Sequence, residues 1–127
     1  MKFDFFMLFV DLILPLIMFI SSFFFIKGGP KNINSLVGYR TERSMKNTDT
    51  WAFAHKYCGK LWQKIGLIFI IITLAVLVPF ILKTSVKVYT VATFVIFSFE
   101  FVLLFYTIFK TEKALSKAFD KNGKRVI

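Results

Sequence analysis

Apolar residues gather in three long runs, at about 3–26, 61–82 and 86–109, set apart by two polar stretches and followed by a polar tail. Each run holds roughly 20 or more mostly apolar residues, the length needed to cross a hydrocarbon core of about 30 Å. Strands of a membrane β-barrel would alternate polar and apolar positions instead. The pattern predicts an all-α membrane protein, one domain over residues 1–127, with three transmembrane helices. Pro15 lies inside the first run, where a membrane helix tolerates it. Lys27-Gly28-Gly29-Pro30 combines a cation, helix-ending glycines and a proline, and predicts the end of that helix.

The stretch 27–60 reads as two parts. Residues 31–47 carry Ile33, Leu36, Val37, Tyr39 and Met45, too many apolar groups for a disordered linker, so an ordered loop is expected. A helix is expected to start near Asn47–Asp49, where short polar side chains cap free amides. Trp51, Ala54, Cys58, Leu61 and Trp62 then recur near helical spacing, with Lys56, Lys60 and Lys64 on the other side. This predicts a short interfacial helix leading into the second span, with Trp51, Tyr57 and Trp62 at headgroup level. Gly59 and Gly66 serve a bend or a close helix contact, or simply fill space. The hairpin Lys83-Thr84-Ser85 makes the second and third spans antiparallel neighbours. The third helix is expected to continue as Thr111–Phe119, with Ala114, Leu115, Ala118 and Phe119 on its apolar face, and the last residues to fray.

Composition agrees with a membrane setting. The 127 residues are 57% hydrophobic, more than so short a soluble chain can hide. The first run is not read as a cleaved signal: it is too long, contains Asp11, and no small-x-small site follows Phe23-Phe24-Phe25-Ile26-Lys27. The net charge of +10 is concentrated in two places. Lys27, Lys31, Arg40, Arg43, Lys46, Lys56 and Lys60 lie in the first polar stretch, and Lys110, Lys113, Lys117, Lys121, Lys124 and Arg125 in the tail. Basic loops stay in the cytoplasm, which places this loop and the carboxyl terminus inside and the amino terminus and hairpin outside. Orientation and attraction to anionic membrane lipids then account for the charge, with no direct nucleic-acid contact. Cys58 is the single cysteine, so no intrachain disulfide forms. His55 and Cys58 share a helix face, but a metal site takes three or four ligands; no metal or cofactor is expected.

Candidate chemistry is sparse. HExxH, GxSxG and the phosphate-cradling GxxxxGK[ST] are all missing, and the chain is not expected to be an enzyme. Of the hydroxyls at Thr41, Ser44, Thr48 and Thr50, a Ser44–His55 pair is the one with a base in view. Two acids, Asp11 and Glu100, fall inside the spans, where a charge facing lipid costs a few kcal/mol or more. They are expected to face the bundle interior, pair with a cation or amide, or be protonated. At 1.5 Å per residue, Asp11 lies about 12 Å and Glu100 about 20 Å from the outer ends of their spans. Arg40 or Arg43 is a candidate partner folding up against Glu100. The pair of acids is read either as a proton or substrate site, as a hydrogen-bond network that fixes packing, or as an oligomer contact.

The first polar stretch carries a long specific pattern: Pro30-Lys31, Asn34, Gly38-Tyr39-Arg40-Thr41, Arg43-Ser44-Met45-Lys46-Asn47, Thr50-Trp51 and Ala54. In this it resembles the SdpI family of bacterial membrane immunity proteins, and with the flanking spans the resemblance covers nearly the whole chain. The resemblance implies protection of a cell against its own secreted antimicrobial peptide toxin. It also implies signalling, in which the toxin-bound protein holds a cytoplasmic transcriptional repressor at the membrane. The family pattern often continues Ala-Asn-Lys where this chain has Ala54-His55-Lys56, and the best-known member has a further membrane region before this domain.

Within the loop, Gly38 suits a tight approach to the membrane, Tyr39 and Trp51 suit interfacial anchors, and Asn47 suits a helix cap. Arg40 and Arg43 suit lipid phosphate, a partner carboxylate or Glu100. The competing reading is that the motif only folds the loop onto the helix ends. Toxin contact is expected at the hairpin Lys83–Lys87, the amino terminus or the lipid-facing helices. The alternative function is a small proton-coupled transporter using Asp11 or Glu100; three spans rarely enclose a pathway, so this requires a homo-oligomer.

Overall fold

In the computed structural model the chain forms three helices: α1 (Lys2–Ile26), α2 (Thr48–Lys83) and α3 (Val86–Ala118). The structure describes the backbone of residues 2–83 and 85–127, and the side chains except those of 2–4, 80–83 and 86. Thr84, at the tip of the expected hairpin, lies outside the described residues. No strand occurs among them, only an isolated bridge between Phe119 and Arg125. Each helix is long and apolar enough to cross a membrane, over Phe5–Ile26, Thr48–Pro79 and Lys87–Ala118. Their outer faces leave Phe9, Ile20, Phe94, Phe105 and Phe109 more than half exposed, as a lipid-facing surface does and a water-facing one does not. The chain is a multi-pass membrane protein.

The interior of the bundle carries many polar groups. Along α3 the buried positions Thr93, Glu100, Thr107 and Thr111 alternate with Tyr89, Ile96, Leu115 and Ala118, at the three- and four-residue steps of one helix face. One apolar cluster, Phe25, Tyr39, Ala54, Cys58, Leu115 and Phe119 among others, closes the loop end of the bundle. Leu77, Tyr89 and Ile96 close the hairpin end. Helix α1 packs chiefly on α2, and the two inward glycines permit it. A Cβ on Gly59 would stand 2.8 Å from the Ile26 nitrogen, and one on Gly66 3.0 Å from the Phe19 nitrogen. The close-contact reading of these glycines therefore holds.

Two expectations are corrected. The short interfacial helix is not a separate element: residues 48–60 are the first turns of α2, which runs unbroken for 36 residues. Gly59 does not break it, because the space left by its missing side chain is filled by α1. Nor does the tail fray. After Ala118 the chain turns back, and the Val126 amide donates to the Ala118 carbonyl at 2.8 Å. Asp120 Oδ1 accepts the amides of Asn122 and Lys124, both at 2.9 Å, so a local turn holds residues 119–125 together.

Candidate functional site

His55 is the centre of the motif loop. It sits on the second turn of α2 with no exposed surface, and backbone occupies both ring nitrogens. The Tyr39 amide donates to Nε2 at 2.8 Å, and Nδ1 lies 2.7 Å from the Trp51 carbonyl. A carbonyl only accepts, so Nδ1 carries the proton and the ring is neutral with its second nitrogen an acceptor. Phe25 meets the ring edge-on at 5.0 Å and Trp51 lies 4.4 Å from it. The loop wraps around this ring. Gly38 has φ +116°, and a Cβ there would stand 2.6 Å from Nε2 and 3.1 Å from Trp51. Both the left-handed backbone and the lack of space require glycine at this position.

From His55 the loop is tied to α2 and to α3. Trp51 Nε1 donates to the Pro30 carbonyl at 2.8 Å. The Tyr39 hydroxyl donates to Glu112 Oε1 at 2.7 Å, and lies 3.3 Å from the Ile108 carbonyl. Arg43 Nε reaches the other Glu112 oxygen at 3.6 Å. Burial first, then the Glu112 hydrogen bond and charge, hold the Tyr39 phenol above its ordinary value. Tyr39 and Trp51 are thus buried anchors within the protein, at 7% and 2% exposure, and not headgroup anchors as expected.

The rest of the motif shapes turns. Asn34 Oδ1 accepts the amides of Leu36 and Val37 at 2.9 and 2.7 Å, an Asx turn. The Thr41 amide donates to Ser44 Oγ at 2.8 Å, and Ser44 Oγ donates to the Tyr39 carbonyl at 2.9 Å. Met45 closes the turn, its amide donating to the Thr41 carbonyl at 3.1 Å. Asn47 is the helix cap: its Oδ1 accepts the Thr50 amide at 2.9 Å while Thr50 Oγ accepts the Asn47 amide at 3.1 Å, a reciprocal box. Asn47 Nδ2 also donates to the Gly123 carbonyl at 2.7 Å, and Lys46 donates to the Lys121 carbonyl. Arg125 grips Asp49 through two bonds of 2.7 and 3.1 Å. Ala54 has no exposed surface and packs in the loop-end cluster.

These contacts decide several expectations. Neither arginine reaches Glu100: Arg40 is exposed and donates to the Ser35 carbonyl, and Arg43 faces Glu112. The reason is reach, since the loop folds across the end of the bundle and Glu112, three turns nearer than Glu100, intercepts it. A Ser44–His55 pair is excluded because Ser44 serves the loop backbone and both His55 nitrogens are occupied. Of the motif, Lys31, Arg40, Arg43 and Lys46 remain exposed, and the neighbouring Leu36 and Val37 stand at 85% and 58% exposure. The partners missed in the sequence are Glu112, Asp49, Gly123 and Arg125. Glu112 had a signal: it is a lone acid among Lys110, Lys113 and Lys117.

Asp11 and Glu100 face the bundle interior at 2% exposure each, as expected. Neither has a cation beside it among the described residues: Asp11 Oδ2 and both Glu100 oxygens are buried without a hydrogen-bond partner, as is Thr73 Oγ1.

The profile of the SdpI/YfhL protein family matches residues 31–110, from the start of the motif loop to the last turns of the third apolar run. No curated protein and no solved structure matches the chain.

Proposed function

The chain belongs to the SdpI/YfhL protein family, and on that footing we propose that it is a membrane immunity protein, protecting its cell against a secreted antimicrobial peptide toxin. The family match carries the proposal, because it runs from residue 31 through the motif loop and α2 and along α3 as far as residue 110. The packing of the loop supports a division of labour within it. Tyr39, Ser44, Asn47, Trp51, Ala54 and His55 are consumed in holding the helix ends together. Arg40 of the motif, with the neighbouring Leu36 and Val37, is left facing outward, and this is the part of the loop open to a cytoplasmic partner such as a transcriptional repressor.

The basic loop and basic tail dock on each other through Asn47, Asp49, Gly123 and Arg125, which supports one side of the membrane for both. Cytoplasmic placement of that side follows from its charge. It leaves the amino terminus and hairpin outside, where a peptide toxin arrives. Reconstituting the full chain in liposomes and titrating in a membrane-active peptide toxin tests capture: saturable binding above that of empty liposomes is expected. Binding equal to that of empty liposomes contradicts capture.

Glu100, with both oxygens buried and unpartnered, favours a second reading, a homo-oligomeric proton-coupled transporter. Flux driven by a pH step across proteoliposomes, abolished by Glu100→Gln, is its signature. No flux with wild type removes it.

A further inference from the structure

Buried carboxyls in an apolar bundle call for a ligand. A carboxylate desolvated without a hydrogen-bond donor or cation costs several kcal/mol, and the described residues offer Glu100 neither. Glu100 lies against Leu14, Pro15 and Met18 of α1 and Ile65 and Phe69 of α2, around a void of about 10 Å³. That is the lower limit for a single water, about 10–15 Å³. Asp11 lies one turn away on the same seam, against Thr93 and Phe97 of α3, beside a wider pocket of about 110 Å³. Leu14 and Pro15 at the Glu100 void stand one turn along α1 from Asp11, and Phe97 beside Asp11 stands one turn along α3 from Glu100. The antiparallel register set by Gly59 on Phe25 and Gly66 on Phe19 brings Thr73 of α2 to the level of Asp11. Its hydroxyl is buried without a partner as well. Pro15 adds one more acceptor, because it has no N–H to give the Asp11 carbonyl four residues back.

The donor set selects the ligand. Hard metal cations take about six oxygens, and the seam offers two carboxyls, a hydroxyl and a carbonyl, with Glu100 walled by hydrocarbon. A proton needs only one oxygen to hold it and one to share it, and two like charges about a helix turn apart in a dry site oppose joint ionisation. We propose that Asp11 and Glu100 form a proton-binding site on the seam between α1 and α3, with Glu100 as the dry holder of the proton and Asp11 as its partner beside the wider pocket lined by Met7, Val10 and Thr93. Among the described residues, the other titratable group on this seam is Tyr89 of α3, packed near Met7 and Leu8 of α1. Around the acids α2 presents Ile65, Phe69 and Thr73, none of them charged.

The site supplies what the transport reading needs but stands without it. Infrared spectroscopy reads the proton and proteoliposome flux reads transport, so the two fail separately. The full chain is reconstituted in liposomes with carbon-13-labelled glutamate, and its carboxyl bands are recorded at pH 7 in light and heavy water. Glutamate occurs at Glu42, Glu100 and Glu112 only. A carboxylic-acid C=O band is expected at neutral pH, shifted by the label and by heavy water, lost in Glu100→Gln and displaced in Asp11→Asn. Carboxylate bands alone in wild type overturn the proposal, and this arm needs no variant to fold. So does an acid band unmoved by both substitutions, or one that disappears on adding sodium at constant pH, which marks a metal-cation site.

Discussion

Tyr39→Phe removes one hydroxyl and leaves the ring in place, packed on Ala54, Cys58 and Leu115. The lost contact is the 2.7 Å bond to the Glu112 carboxylate, the link between the motif loop and α3. A hydrogen bond to a charged group contributes about 1.5–3 kcal/mol. Glu112 keeps 28% of its side chain exposed and retains Arg43 at 3.6 Å, so water and the guanidinium partly replace the phenol. The Ile108 carbonyl at 3.3 Å adds little, because it already serves the helix. We expect the low end, about 1.5 kcal/mol, or roughly tenfold in the folding equilibrium. Reversible unfolding in detergent micelles, for wild type, Tyr39→Phe, Glu112→Gln and the double variant, closes the cycle. A coupling of about 1–2 kcal/mol is expected, and singles that add within about 0.5 kcal/mol would refute the link. The same bond gives a pH signature. Folding holds the phenol above its ordinary value of about 10. Unfolded Tyr39 therefore ionises first, and its contribution, complete below about pH 10, is lost as pH rises through the raised value. Wild type should lose stability above that pH by more than Tyr39→Phe does.

Other outcomes follow from the same geometry. Gly38→Ala, at φ +116° with His55 Nε2 in the way, should destabilise by about 2 kcal/mol or more in the same unfolding assay, from αL strain plus repacking. Asp49→Ala breaks an exposed pair to Arg125 and should cost less than about 1 kcal/mol globally. It should nonetheless speed hydrogen exchange at the Val126 amide, which wild-type docking protects. Thr107→Val removes the acceptor for Trp62 Nε1 at 3.0 Å and should cost about 0.6–2 kcal/mol, read by unfolding and by a changed indole fluorescence.

The three spans were legible because hydrocarbon thickness leaves so little freedom: apolar length alone marks them. The start of α2 at Thr48 was legible from the Asn47 cap, and the end of α1 from Gly28-Gly29-Pro30. The docked tail was not. Its contacts reach from Asn47 to Gly123 and from Asp49 to Arg125, pairs more than 70 residues apart with no shared period. The motif residues were found as a set, yet their roles inverted for Tyr39 and Trp51. An aromatic side chain beside lysines reads equally as a headgroup anchor or as the plug of a polar cap. Only the fold of the loop over His55 distinguishes them. For Asp11 and Glu100 the inward direction followed from cost, whereas the lack of a cation did not. Two arginines within reach along the chain made a pair plausible, and Glu112 takes one of them.

Survival under toxin is the measurement closest to function. A toxin-sensitive bacterium expressing this chain is challenged with membrane-active peptide toxins, beside Arg40→Ala and an empty vector, with membrane levels of the two chains matched. Survival of the wild type well above the vector, at toxin doses that clear the vector strain, is the expected result. Survival equal to the vector across such peptides, with the protein present in the membrane, contradicts an immunity function for this chain.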